Sequence, residues 1–163
     1  MYTAIYDSVE SDEALKNPFN PKVTLGTDFL YSPYLKSLII DTHFFQRDRM
    51  GRLVVFLARL MQAQNSTNPQ EVLGIGCDEQ TAILVDGRTG NAMLVSQTSG
   101  LDHVCYFLSV KSLPKTCEPN QPLTFVDIEV FRAIPHKSTF NFISWKGSGE
   151  SFPFIVFELT LNK

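Results

Sequence analysis

The sequence is poor in cysteine, in tryptophan and in net charge of either sign: its 163 residues hold 3 Cys, 1 Trp and a formal charge of −3. Each shortage removes a class of protein. Cys77, Cys105 and Cys117, with no CxxC pair, are too few for a disulfide scaffold and lack zinc-ligand spacing, so no metal site is expected. Free thiols are the default, and a bridge between Cys105 and Cys117 across a hairpin is the alternative in an exported protein. With 14 Lys+Arg against 17 Asp+Glu and no basic block, electrostatic binding of nucleic acid is not expected. No stretch approaches the roughly 18 consecutive apolar residues of a membrane span, so no membrane partner is expected either. The opening Met1–Val9 lacks the basic region and apolar core of a signal peptide, which favours the cytoplasm. What is present is a 44% hydrophobic composition, enough for one cored domain and too much for disorder.

Apolar spacing organises the chain. Tyr2, Ile5, Tyr6 and Val9 fall at helical intervals, predicting a short helix with nothing before it, as if the chain were entered midway. Residues 8–22, punctuated by Asn17-Pro18 and Asn20-Pro21, read as a polar surface loop. The run Leu35–Asp41 predicts a buried strand, and Met50, Leu53, Val54, Leu57, Leu60 and Met61 predict a helix whose polar face carries Arg49, Arg52 and Arg59. A loop over Asn65–Gln70 and a strand over Val72–Gly76 complete a parallel strand–helix–strand unit. Beyond Glu79, helical periodicity gives way to short strands and turns: 81–85, 92–96, 103–108, 123–134, 139–145 and 154–161. The expectation is an α/β portion over 1–86 followed by an antiparallel β-rich extension over 87–163.

The residues able to do chemistry concentrate where the first strand ends and the helix begins, in Asp41-Thr42-His43-Phe44-Phe45-Gln46-Arg47-Asp48-Arg49-Met50-Gly51-Arg52. Ligands bind beyond the carboxyl ends of parallel strands, and a histidine there suits general-base work near neutral pH. Arg47, Arg49 and Arg52 can grip carboxylates through two-pronged hydrogen bonds, or else solvate a helix face while pairing with Asp41 and Asp48. After the next strand come Asp78 and Glu79, either of which can orient the imidazole of His43. A nucleophile is missing, for no Gly-x-Ser-x-Gly occurs. Ser151 reads as a loop residue, and Cys77 as a small packing residue or, less plainly, a thiol nucleophile. His103 and His136 read as ordinary surface or strand residues, and Trp145 as a core ring at a strand end rather than a stacking platform.

Two segments resemble a known family. Asp41–Leu53 looks like the D-x-H-F-x-Q-R-x-R-x-G-R-L signature of cyanophycinases and related serine peptidases, and Gly74-Ile75-Gly76-Cys77-Asp78-Glu79-Gln80-Thr81-Ala82 resembles their G-I-G-x-D-E-x-T-A segment. A looser likeness continues through Pro122-Leu123-Thr124-Phe125. The resemblance implies a partial flavodoxin-like three-layer sandwich akin to class I glutamine amidotransferases, and hydrolysis of β-aspartyl isopeptide bonds that releases β-Asp-Arg dipeptides. It implies His43 as base, Glu79 as its acid with Asp78 as fallback, Asp41, Arg47, Arg49 and Arg52 at the substrate edge, and no cofactor. Thr42 departs from the Gln of the best-known members. The family's Gly-Thr-Ser-Ala-Gly elbow has no counterpart here, so the resemblance points to a carboxyl-terminal portion, partnered by a complementing amino-terminal fragment or by a second copy. The other reading is a non-catalytic subunit with an arginine-lined carboxylate site.

Overall fold

A computed structural model describes residues 3–4, 9–26, 32–64, 68, 72–97, 103–152 and 157–159. The strongest periodic segment forms the longest helix, α2 (Met50–Ala63). Its predicted stripe of Leu53, Val54, Leu57, Leu60 and Met61 is buried, but so are Val55, Phe56 and Ala58 on the far side. The covering comes from the segment that reads as a surface loop. Ser11–Lys16 folds as a short helix, α1, between two-residue strands β1 (Thr3–Ala4) and β2 (Leu25–Gly26) that pair antiparallel.

That segment departs from expectation twice. Thr3–Ala4 is extended rather than helical, and the remainder of Met1–Ser8 lies outside the described residues. The helix over Ser11–Lys16 was hidden by its acidic, turn-flanked composition, and it forms because Ala14 and its neighbours have α2 to pack on. The contact is close, for a Cβ on Gly51 would lie 2.8 Å from Leu15 Cδ1 and from Ser11 Cβ. Ser11 also supplies the cap that Arg49 cannot, accepting a 3.2 Å hydrogen bond from the Arg52 amide at the start of α2. Arg59, expected on a solvated face, sits 3.8 Å over the Phe19 ring.

The sheet begins as the sequence predicts. β3 (Leu38–Thr42) and β4 (Leu73–Cys77) lie parallel, with Ile39 opposite Gly74 and Thr42 opposite Cys77, and α2 is the connection between them. Of the loop expected over Asn65–Gln70 only Asn68 is described. Every later pairing is antiparallel: β5 (Thr81–Val85), β6 (Asn91–Ser96), β7 (Cys105–Val110), β8 (Phe125–Asn141), β9 (Lys146–Phe152) and β10 (Phe157–Leu159) complete one sheet of order β3-β4-β7-β8-β6-β5, with β9 and β10 also on β8. The expected strands over 123–134 and 139–145 are one long strand, and Ser151 lies within β9 rather than in a loop.

The bend near His136 in β8 gives the sheet its shape. His136 takes a left-handed φ of 61°, Ser138 Oγ accepts the Ile134 amide at 2.9 Å, and the register against β9 shifts between Ala133 and Ser138. The first half of β8 therefore pairs with β7 and the second with β6, so the sheet curls onto itself. Phe107 on one wall stacks on Phe140 of the other, with centroids 3.8 Å apart, and Phe142 and Trp145 meet both rings edge-on. Trp145 is thus part of this second core. Gly147 makes room for the Phe131 ring, which a Cβ there would meet at 2.2 Å. The result is an α/β fold in which α2 covers one face of a curled mixed sheet while the other face closes on itself.

Candidate active site

The parallel pair sets the position of the functional residues. At the carboxyl end of β3 the chain turns sharply, with His43 at φ 50° and Asp48 at φ 46°, and after β4 it turns again with Gln80 at φ 58°. Left-handed backbone at three non-glycine positions beside one strand edge is a cost that sites of function commonly carry. The first turn is pinned by Phe44, which is 2% exposed and lies on Gly76, where a Cβ would come within 2.5 Å of the ring. The Phe44 amide also donates to Cys77 O at 3.1 Å.

With Phe44 fixed inward, His43 faces out over the end of β4. Its Nδ1 lies 2.5 Å from Glu79 Oε1, and the two side chains are 46% and 42% exposed. A carboxylate accepts and does not donate, so Nδ1 carries the proton and Nε2 is left as the basic nitrogen toward solvent. The hydrogen bond from His43 is the main reason that Glu79 is held below its ordinary carboxylate range. A lowered folded-state pKa means that the pair's contribution is complete above the ordinary carboxylate pKa and is lost as pH falls through the lowered value. A pH titration of the Glu79 carboxyl carbon by NMR is expected to show a midpoint below that of an unpaired glutamate, and His43→Ala is expected to raise it.

The other acidic candidate has a different task. Asp78 is 4% exposed and braces two loops: Oδ1 accepts the Phe45 amide at 2.9 Å and Oδ2 accepts the Val104 amide at 2.9 Å. Burial pushes its pKa up, and those two amides oppose the rise. Glu79, not Asp78, is the carboxylate within reach of the imidazole. Asp78→Ala leaves two amides without acceptors, and is expected to lower stability by about 1–3 kcal/mol in a denaturant titration.

Of the four residues expected at the substrate edge, the fold withdraws three. Asp41 is 5% exposed and points from β3 toward α2, where Arg52 grips it through Nε at 2.7 Å and Nη2 at 2.5 Å and Arg49 adds a contact of 3.3 Å. Arg49 also donates to Thr42 O at 2.5 Å. These guanidiniums are buried and face Asp41, so they secure the end of β3 from below rather than meet a ligand. Arg47 alone of the set is exposed, in the same loop as His43, beside the 66% exposed ring of Phe45.

Two participants were not legible in the sequence. His103 Nδ1 lies 2.9 Å from Glu79 O, and Gln46 Oε1 accepts the Glu79 amide at 3.3 Å, so the acidic residue is held from both sides. Gln46 fell within the recognised motif without a role, and His103 had no spacing partner at all.

The cysteines also pair differently from expectation. Cys77 and Cys105, directly opposite in β4 and β7 with Cα atoms 4.4 Å apart, form the disulfide, and the free thiol is the buried Cys117. A Cys105–Cys117 bridge is therefore replaced, because strand register rather than sequence separation sets the partner. In the bridge, Cys77 has no thiol to act as nucleophile. Among the described residues no group of three or more His, Cys, Asp or Glu is placed to hold a metal ion, and no helix is long and apolar enough to cross a membrane. No family model matches the chain, and no curated protein matches it.

Proposed function

We propose that the chain supplies the general base and its orienting acid to a hydrolase that works by acyl transfer. The observation that carries this reading is the 2.5 Å contact between His43 Nδ1 and Glu79 Oε1 at the carboxyl ends of two parallel strands. In such a pair the imidazole takes a proton from a nucleophile through Nε2 and returns it to the leaving group, while the carboxylate fixes the tautomer and stabilises the imidazolium.

The particular hydrolase we infer is a serine-type peptidase resembling cyanophycinase, acting on β-aspartyl isopeptide bonds, of which this chain is the carboxyl-terminal part. The β3–α2–β4 unit is the segment of a flavodoxin-like sandwich that this reading assigns to it, and Arg47 is the group offered to a substrate carboxylate. These 163 residues hold no Gly-x-Ser-x-Gly, so this reading puts the nucleophile on an elbow outside them, in a preceding segment or a complementing fragment. The experiment is an assay of β-Asp-Arg hydrolysis by the chain with and without that fragment. A large gain on mixing is expected, and no gain would overturn the complementing-half reading. Binding without catalysis, the alternative, had three arginines to draw on, but two of them already face Asp41. It therefore rests on Arg47.

Two further outcomes bear on the same site. Gly76→Ala drives a methyl group against the Phe44 ring and is expected to cost about 1–3 kcal/mol, read by thermal unfolding, while displacing His43 from Glu79. Arg47→Ala, being exposed, is expected to leave stability within about 0.5 kcal/mol and to raise KM more than it lowers kcat in the complemented assay.

A further inference from the structure

The Cys77–Cys105 bridge joins β4 and β7 at the point from which Glu79 of the candidate pair emerges, next to the end of β3 that carries His43. Cys77 is followed at once by Asp78 and Glu79, and Cys105 is preceded by His103 and Val104. Those neighbours are themselves cross-linked: the Asp78 amide donates to Val104 O at 3.0 Å, Asp78 Oδ2 accepts the Val104 amide, and His103 Nδ1 lies against Glu79 O. The bridge thus lies at the base of the structure that holds Glu79 against His43.

We propose that this bridge is a thiol-exchange site, with Cys77 as the sulfur attacked, and that its redox state controls the His43–Glu79 contact. The two sulfurs differ in access. Cys105 is fully buried, whereas Cys77 is half-buried, at the outer end of its strand. A small-molecule thiolate attacks Cys77 Sγ, forming a mixed disulfide there as the Sγ–Sγ bond breaks and its electron pair leaves on Cys105. Cys105 then takes up a proton. A second thiolate attacks the outer sulfur of the mixed disulfide, releasing Cys77 as thiolate and then thiol. Two thiols are oxidised to one disulfide and the protein's bridge is reduced to two thiols.

Thr81 links the sulfur chemistry to the carboxylates. Its hydroxyl donates to Asp78 O at 2.6 Å and lies 3.7 Å from Cys105 Sγ. A hydroxyl has one proton. When Cys105 leaves as thiolate, a charged acceptor competes for that proton with Asp78 O, and the brace next to Glu79 slackens as the covalent tie is lost. This control holds whatever reaction the pair carries out.

The test uses the full chain and does not require hydrolytic activity. Alkylation with iodoacetamide under native and denaturing conditions, read by mass spectrometry, is expected to find only Cys117 as thiol before treatment with dithiothreitol and all three cysteines after it. Three free thiols in the untreated protein would overturn the proposal. When the wild type is treated briefly with reduced glutathione and quenched with acid, the trapped glutathione mixed disulfide is expected at Cys77 about ten-fold more often than at Cys105, following accessibility; equal amounts at the two would refute the assignment of the attacked sulfur. The carboxyl carbon of Glu79, followed by NMR, is expected to titrate higher in the reduced protein than in the oxidised one, as contact with His43 is lost. An unchanged midpoint in reduced wild type, with the thiol count showing the bridge open, would refute the control. Failure of hydrolysis on mixing fragments would leave each of these readouts intact.

Discussion

Asp41→Ala is expected to destabilise the protein by about 3–5 kcal/mol, a fall in melting temperature of roughly 6–20 °C for a chain of this size. The carboxylate is 5% exposed and faces two guanidiniums that are themselves 8% and 5% exposed. Its removal leaves Arg49 and Arg52 charged, desolvated and without the group that both contact. Burial and the neighbouring Arg52 already lower Arg49 below its ordinary range, with Asp41 opposing the shift. The effect reaches the site, since Arg49 also holds Thr42 O, the backbone immediately before His43. Denaturant titration measures the loss, and a change under about 1 kcal/mol would show that the cluster is effectively solvated. Breaking a buried ion network differs from replacing it. The triple variant Asp41→Leu, Arg49→Met, Arg52→Met is expected to recover much of the stability, because an apolar cluster of similar volume needs no counter-charge.

On the proposed acyl-transfer reading, the second large effect is on turnover in the complemented assay. Glu79→Gln is nearly isosteric and keeps a hydrogen-bonding group 2.5 Å from His43 Nδ1, yet it removes the negative charge and offers an amide that can present N–H to the ring. The imidazole is then free to take the wrong tautomer, and no charge stabilises the imidazolium. The expected loss in kcat is about 10²–10⁴-fold, the range seen when the acid of such a triad is amidated or its base role impaired. KM should change little, because Glu79 is assigned to His43 rather than to substrate. Both groups are about half exposed, so at neutral pH the unfolding curve of the variant is expected to shift only slightly from that of the wild type. Full activity in Glu79→Gln would remove Glu79 from the mechanism, and a parallel loss of stability would recast it as structural.

The parallel unit could be read from the chain because its signals are local. Leu53, Val54, Leu57 and Leu60 repeat with the helical period, and the runs Leu38–Ile40 and Leu73–Gly76 are short and wholly apolar. The placement of His43 and Glu79 at neighbouring strand ends follows from that unit, as both residues come directly after its strands. By contrast, α1 leaves little trace in the chain because its six residues have no strong period of their own, and they are helical through contact with α2. The arginines part company for a related reason. The sequence shows three guanidiniums near a ligand-binding edge, but only packing decides that Arg49 and Arg52 turn under β3 to Asp41 while Arg47 stays in solvent.

Composition and periodicity by themselves determined an α/β chain with one strand–helix–strand unit and a β-rich remainder, and the order of residues put a histidine and two carboxylates just after the strands of that unit. Tertiary structure alone decided which cysteines meet, which carboxylate reaches the imidazole, and that His103 and Gln46 hold it there. Each of those depends on strand register and on burial, relations between residues distant in sequence, and such relations leave no local periodic trace.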